Sequence, residues 1–219
     1  MTTSVTPAPS PWSTPGDRPA GRQQQRSALS TRRLLDACAA LIAERGFERT
    51  TLADIGRRAG YSQGLVTRRF GSKANLMVVL VERMTARYGS DRIAETIGNR
   101  TGAAAVTHIV RQIREDARRS PESLRSFYAL MYEGVKPVPA LHDRLRDLNR
   151  EFLDKLVEVL AAGLDAGTVR PGTDPVAAAT MVASCLRGIA FFWLLDPEGF
   201  DIVHELESLA RQLDAALAP

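Results

Sequence analysis

Leu34, Leu35, Cys38, Leu41 and Ile42 recur at positions i, i+1, i+4, i+7 and i+8, which lie on one face of an α-helix. Ser30 reads as the N-cap of this helix and Gly46 as its stop. The run Thr51-Leu-Ala-Asp54 is a capping-box variant opening a second, short helix through Ile55 to Ala59, which Gly60 ends. A third follows at once: Ser62 caps it, Val66 and Phe70 sit four apart on its inner side, and Gly71 stops it. Ser72 caps a fourth, which starts at Lys73 and runs through Leu76, Val79, Leu80 and Met84 to about Tyr88. Further helices are predicted near 102–119, 121–135, 139–166, 174–195 and 201–217. The breaks between them fall at Pro121, at Pro137 and Pro139, at Arg170 to Pro175, and at Pro197 to Gly199. No stretch alternates like a strand for long enough to matter, so the fold class is all-α.

The second and third helices, joined by the turn Gly60-Tyr61-Ser62, form a helix-turn-helix. The third is short and capped at both ends, with Gln63, Leu65, Thr67 and Arg68 pointing away from the core and Arg69 at the edge. A helix reading base edges enters a major groove only about 12 Å wide and uses mainly its first turns. Gln pairs with adenine N6/N7 and Arg with guanine O6/N7, each worth about 1–3 kcal/mol of discrimination. Arg57, Arg58, Arg68, Arg69 and Lys73 suit phosphates, and Lys73 stands where a helix N-terminus offers free backbone N–H groups.

Charge supports this placement. The net charge is only +4, but residues 27–75 hold nine Arg or Lys against four Asp or Glu. Residues 76–219 hold 17 against 20 and are slightly acidic. A polyanionic partner at the N-terminal end is one reading of this asymmetry, and a plain solvated face is the other. Residues 1–26 are rich in Pro, Ser, Thr and Gln and read as a disordered basic arm. Two readings stay open for Arg18, Arg22 and Arg26: an arm along a phosphate backbone, or a tail with no role in binding.

The run from Thr31 to Leu76 includes Gly46-Phe47, Thr50-Thr51-Leu52, Asp54-Ile55, Ala59-Gly60-Tyr61-Ser62, Gly64, Phe70 and Ser72-Lys73. Matched in register over these positions, it resembles the N-terminal domain of the tetracycline-repressor (TetR) family. The segments AAGLDAGTVRPGTDPVAAATMV and FFWLLDPEGFD are similar to the closing helices of many members. The resemblance implies a homodimeric regulator, most often a repressor. It would bind a palindromic double-stranded DNA operator and be released by a small-molecule effector in the C-terminal domain. Carried over position by position, Thr51, Tyr61, Arg69 and Lys73 would contact phosphates. Gln63, Gly64, Leu65, Thr67 and Arg68 would face the bases, with Val66 and Phe70 in the core. Members often carry an aromatic residue where this chain has Thr67, and an aromatic or histidine where it has Arg68 and Arg69. The Thr-Arg-Arg edge should change which bases are preferred.

The division expected is therefore an arm over 1–26, a DNA-binding domain over 27–73 and a larger helical ligand-binding and dimerisation domain over 74–219. Residues 174–195 are nearly long and apolar enough to span a membrane, but Arg187 sits well inside them. The small residues Ala178 and Gly188 permit close helix approach, beside Met181 and Cys185. The last helix presents Ile202, Leu206, Leu209 and Leu213 at heptad-like spacing. These two helices are expected to form a four-helix dimer interface, and no membrane partner is expected. His108, Phe127, Tyr128, Met131, Tyr132, Phe191 and Trp193 are candidate ligand-lining residues. Arg187 is weighed as a partner of an anionic ligand, of a carboxylate across the dimer, or of solvent.

The chain shows no Gly-rich phosphate loop, GxSxG, HExxH or credible Cys/His pair, so no enzyme, metal or cofactor is expected. Cys38 and Cys185 are far apart and read as reduced thiols, and no secretory signal is visible; the expected location is cytoplasmic. Two further alternatives are a regulator answering a protein partner and a nonspecific architectural DNA-binding protein.

Overall fold

Three serine or threonine hydroxyls set the frame of the first third of the chain. Thr51, Ser62 and Ser72 each accept a hydrogen bond from the backbone N–H three residues on, opening three successive helices. The computed structural model describes residues 21–133 and 139–219. Within them are α1 (Arg22–Arg45), α2 (Leu52–Ala59), α3 (Gln63–Phe70), α4 (Lys73–Tyr88), α5 (Ser90–Ile97), α6 (Gly102–Arg119), α7 (Pro121–Glu133), α8 (Pro139–Asp165), α9 (Pro175–Leu195) and α10 (Ile202–Leu217). No strand occurs among the described residues.

Two expectations change at the N-terminal end. The first helix does not start at Ser30 but eight residues earlier, after Gly21. Apart from Ser27, the run before Ser30 consists of Arg, Gln, Ala and Leu with no Gly or Pro to break it, so the helix propagates through it. Ser30 instead donates its hydroxyl to the Ser27 carbonyl at 2.9 Å. Residues 22–26, expected as part of a disordered arm, are helical; residues 1–20 of that arm, Arg18 among them, lie outside the described residues. The short helix α5 was not expected, because Gly89 and Gly98 bracket only eight residues and leave too little periodicity to read.

The apolar face of α1 lies in the core as its spacing requires, with Leu34, Leu35, Cys38, Leu41 and Ile42 all 6% exposed or less. It packs against α7 on one side and α2 and α4 on the other. Helix α10 packs most extensively against α6, and an Arg114–Glu207 ion pair joins the two. Ile202, Leu206, Leu209 and Leu213 are consequently buried inside their own subunit, at 5%, 1%, 7% and 2% exposure. That corrects their expected place in a dimer interface. A heptad-like stripe specifies that a face is covered, and here α6 of the same chain covers it.

Helix α9 behaves differently. Ala178, Ala179, Val182, Ala183, Leu186, Ala190 and Trp193 turn inward, while Val176, Met181, Phe191, Phe192 and Leu195 remain 44–67% exposed. It is the one helix among the described residues long and apolar enough to cross a membrane. Its inner face is packed against α7, α8 and α10. Of the other expected interface residues on α9, Cys185 and Gly188 are half-buried beside the exposed stripe, and Ala178 lies beneath it.

Candidate nucleic-acid interface and the adjoining cavity

Asp54 holds α2 in place. The Thr51 hydroxyl donates to its Oδ2 at 2.7 Å and accepts from its backbone N–H at 3.1 Å. Arg45, in the last turn of α1, reaches the same carboxylate at 2.6 Å, and Arg57 pairs with its other oxygen. The Thr51 hydroxyl, followed by Arg45, holds the Asp54 carboxyl below the usual carboxylate range. The chain then turns sharply: Gly60 adopts φ 78°, ψ 29°, and the Tyr61 N–H donates to the Gly56 carbonyl at 2.8 Å. Gly56 is required for this turn to close. A Cβ there would stand 2.8 Å from the Tyr61 carbonyl oxygen and 3.2 Å from Val66 Cγ2.

From that turn α3 emerges with its two faces as expected. Val66 and Phe70 are buried at 0% and 8% exposure. Gln63, Gly64, Thr67 and Arg68 are exposed, and Leu65 is half-buried. Arg68 forms no hydrogen bond or ion pair among the described residues. Its guanidinium is therefore open for the planar, bidentate contact that a guanine edge offers.

The four residues expected at phosphates are less alike. Thr51 is exposed, with its hydroxyl engaged in the cap, and Tyr61 is half-buried against the core. Arg69 turns back onto α1: Nη1 donates to the Ser27 carbonyl at 2.6 Å and to the Thr31 hydroxyl. Lys73 donates through Nζ to the carbonyls of Phe47 and Glu48 at 3.1 and 3.4 Å, 4.0 Å from the centre of the Phe47 ring. Both cations thus tie α3 and the start of α4 to α1 and the loop after it. Arg58 pairs with Glu44 at 2.6 Å.

Behind the interface, α4 through α9 enclose a cavity of about 120 Å³. Helix α6 contributes Ile109, Gln112, Ile113 and Asp116, which share one face at helical spacing. Arg87 and Tyr88 enter from the last turn of α4, Arg92 and Ile93 from α5, Leu124, Phe127 and Tyr128 from α7, Phe152 from α8, and Arg187 from α9. Burial raises the Asp116 carboxyl above its ordinary range and pushes the Tyr128 phenol up to about 12, so that hydroxyl stays protonated.

Of the seven ligand-lining residues expected, only Phe127 and Tyr128 border this cavity. His108 is one residue off the lining face of α6, where burial lowers its pKa. Met131 lies one turn beyond Tyr128, half-buried against the core. Tyr132 donates its hydroxyl to the Arg187 carbonyl at 2.5 Å, so it braces the wall from outside. Phe191 is 47% exposed on the outer side of α9, and Trp193 is buried with the Arg125 guanidinium 6.0 Å away. Aromatic identity marked these residues, but helical phase decides which ones face the hollow. The readable signal was the pair Gln112 and Asp116, polar groups interrupting an inward face of α6.

Residues 34–80 match the family of bacterial regulatory proteins called tetR, and residues 102–218 match the C-terminal domain of BetI-type transcriptional repressors. The HTH-type transcriptional repressor KstR2 of Rhodococcus jostii (strain RHA1) is 30% identical over 167 residues, 73% of this chain and 75% of that protein. The fatty acid metabolism regulator protein of Bacillus subtilis (strain 168) is 20% identical over 180 residues, 82% of this chain and 91% of that one. Among solved structures, SmeT in complex with triclosan superposes with a TM-score of 0.70 at 25% identity, covering 87% of this chain and 92% of that one.

Proposed function

This chain belongs to the tetR family of bacterial regulatory proteins, and from that membership we propose that it is a homodimeric repressor of transcription released from a palindromic operator by a small-molecule effector. The reading head comprises residues 27–73 and the body residues 74–219. Gln63, Gly64, Leu65, Thr67 and Arg68 face the bases. The observation that supports this most is the contrast on α3 between exposed Gln63, Thr67 and Arg68 and buried Val66 and Phe70. A short helix fixed at both ends and presenting amide and guanidinium groups suits a major groove.

Two copies are needed because one eight-residue helix reads too few base pairs. A two-fold dimer sets two such helices about 34–36 Å apart, or a multiple of that. The exposed stripe Val176, Met181, Phe191, Phe192 and Leu195 on α9 is the face that joins the copies. Thr51 contacts phosphate from the start of α2. Tyr61, Arg69 and Lys73 stand along the same flank, the last two chiefly as braces.

The relatives named for fatty acid metabolism and solved with triclosan favour an effector that is at least partly apolar. Coupling runs through α4, whose first residue is tied to the loop after α1 and whose last turn lines the cavity. An effector preferring a body in which α4 is shifted lowers operator affinity by its differential binding alone.

Selection of binding sites from random duplex DNA, followed by affinity measurements at two salt concentrations, tests the reading. The expected result is a two-fold symmetric motif bound far above random sequence. Binding without any enriched motif, lost uniformly as salt rises, would replace the repressor with a nonspecific DNA-binding role.

A further inference from the structure

Arg187 is the only charged residue in α9, and it lines the cavity behind the DNA-binding domain. Its guanidinium lies 5.6 Å from the Phe152 ring and 5.8 Å from the Tyr128 ring. Its sole side-chain hydrogen bond among the described residues runs to Asn149 Oδ1 at 3.4 Å, close to the limit of such contacts. No carboxylate pairs with it there. Tyr128 is 3% exposed, and its hydroxyl has no hydrogen-bond partner among the described residues. Tyr128 is buried and Arg187 half-buried, so a guanidinium and a phenol left open toward one hollow suit an acceptor from outside the chain.

Charge balance specifies that acceptor. Three arginines border the cavity, Arg87, Arg92 and Arg187, against the single carboxylate of Asp116. Asp116 feels Arg87, Arg92 and Arg119, and no carboxylate among the described residues forms an ion pair with Arg187. Most of the remaining wall is apolar. Size specifies the rest. A cavity of about 120 Å³ is close to the engineered apolar cavity of about 150 Å³ that holds benzene. It is smaller than the roughly 300–1,000 Å³ of sites for drug-sized ligands.

Resting on the reading of this chain as an effector-responsive regulator, we propose that the cavity takes a small ring acid: one aromatic or alicyclic ring bearing a carboxylate. The carboxylate is held by the Arg187 guanidinium and the Tyr128 hydroxyl, with the ring among Ile109, Ile113 and Phe127. Planar guanidinium and carboxylate match in a bidentate pair, and the flanking rings hold the guanidinium plane.

Sodium benzoate is the probe, titrated calorimetrically into the full chain without DNA, beside neutral benzyl alcohol and cationic benzylamine. Benzoate is expected to bind at least about tenfold tighter than benzyl alcohol, with no detectable benzylamine binding. Arg187→Met should weaken benzoate about tenfold to a hundredfold and leave benzyl alcohol within about threefold. Tyr128→Phe, which keeps the ring, should weaken benzoate about threefold to tenfold. Equal affinity for benzoate and benzyl alcohol, indifference to Arg187→Met, or no benzoate binding would each overturn the assignment. Operator affinity without probe shows that the variants are folded. A chain that binds benzoate through Arg187 yet selects no operator would sink the regulatory reading and leave the cavity assignment standing.

Discussion

Arg69, in the last turn of α3, donates from Nη1 to the Ser27 carbonyl at 2.6 Å, across 42 residues of sequence. Its neighbour Arg68 is exposed and makes no such bond among the described residues. One arginine therefore sets the angle at which the helix is held, and the other is left for what the helix meets. Arg69→Ala should destabilise the protein by about 1 kcal/mol, since the bond is charge-assisted but half exposed. That corresponds to about 2–4 °C in thermal midpoint for a chain of this size. Arg69→Lys should lose most of the same stability. Were Lys to restore the midpoint fully, the bond to Ser27 would not be the reason for the residue.

Arg68→Ala should leave the thermal midpoint within about 1 °C, because an exposed, unpaired side chain contributes little to stability. Its effect belongs to specificity: preference at one base position of each half-site should relax by about 1–3 kcal/mol. Site selection repeated with the variant checks this. An unchanged motif would remove Arg68 from the base-reading set.

The two closing helices should answer mutation in opposite ways. If α9 joins two copies as proposed, Phe192→Glu on its exposed stripe should convert that dimer to folded monomer. Leu206→Ala, at 1% exposure beneath α6, should cost about 2–5 kcal/mol of stability. Sedimentation velocity and thermal melts of both variants distinguish the roles. A dissociated but stable Leu206→Ala protein would restore α10 to the interface.

Asp54 predicts an acid-sensitive reading head. Its folded-state pKa is lowered, by the Thr51 hydroxyl first and then by Arg45, from an unfolded value near 3.9. The stability it contributes is fully present above the unfolded value and is lost as pH falls through the folded one. Asp54→Asn should be less stable than the parent at pH 7, and the gap should close progressively below about pH 4. Urea midpoints at pH 7 and pH 3 read it directly. A gap independent of pH would mean that the cap, rather than the charge, accounts for the residue.

The residues that could be read one by one were those whose chemistry is local. A serine or threonine before an apolar run caps a helix wherever the rest of the chain goes, and Thr51, Ser62 and Ser72 all do so. Val66 and Phe70 four apart must share a face, so the outward set on α3 followed without any tertiary knowledge. Ser30 misled for a local reason too, since a good cap placed after good helix formers is passed over.

What tertiary packing decided was the identity of each covering partner. The stripe on α10 reads the same whether it meets a second subunit or α6, and only the path of the chain selects α6. Phe127, Tyr128, Tyr132, Phe191 and Trp193 read as a pocket by their aromatic character, yet of these only Phe127 and Tyr128 border the hollow, which Phe152 joins from α8. Arg69 and Lys73 show the same division. Their charge was visible in the sequence, but which carbonyls lay within 3.5 Å of them depended on α1 folding back across the helix-turn-helix. Helical phase and capping act within a few residues, so the sequence by itself determined the elements and their faces. Burial and long-range hydrogen bonds join residues far apart in sequence, so only the tertiary structure decided what each face touches.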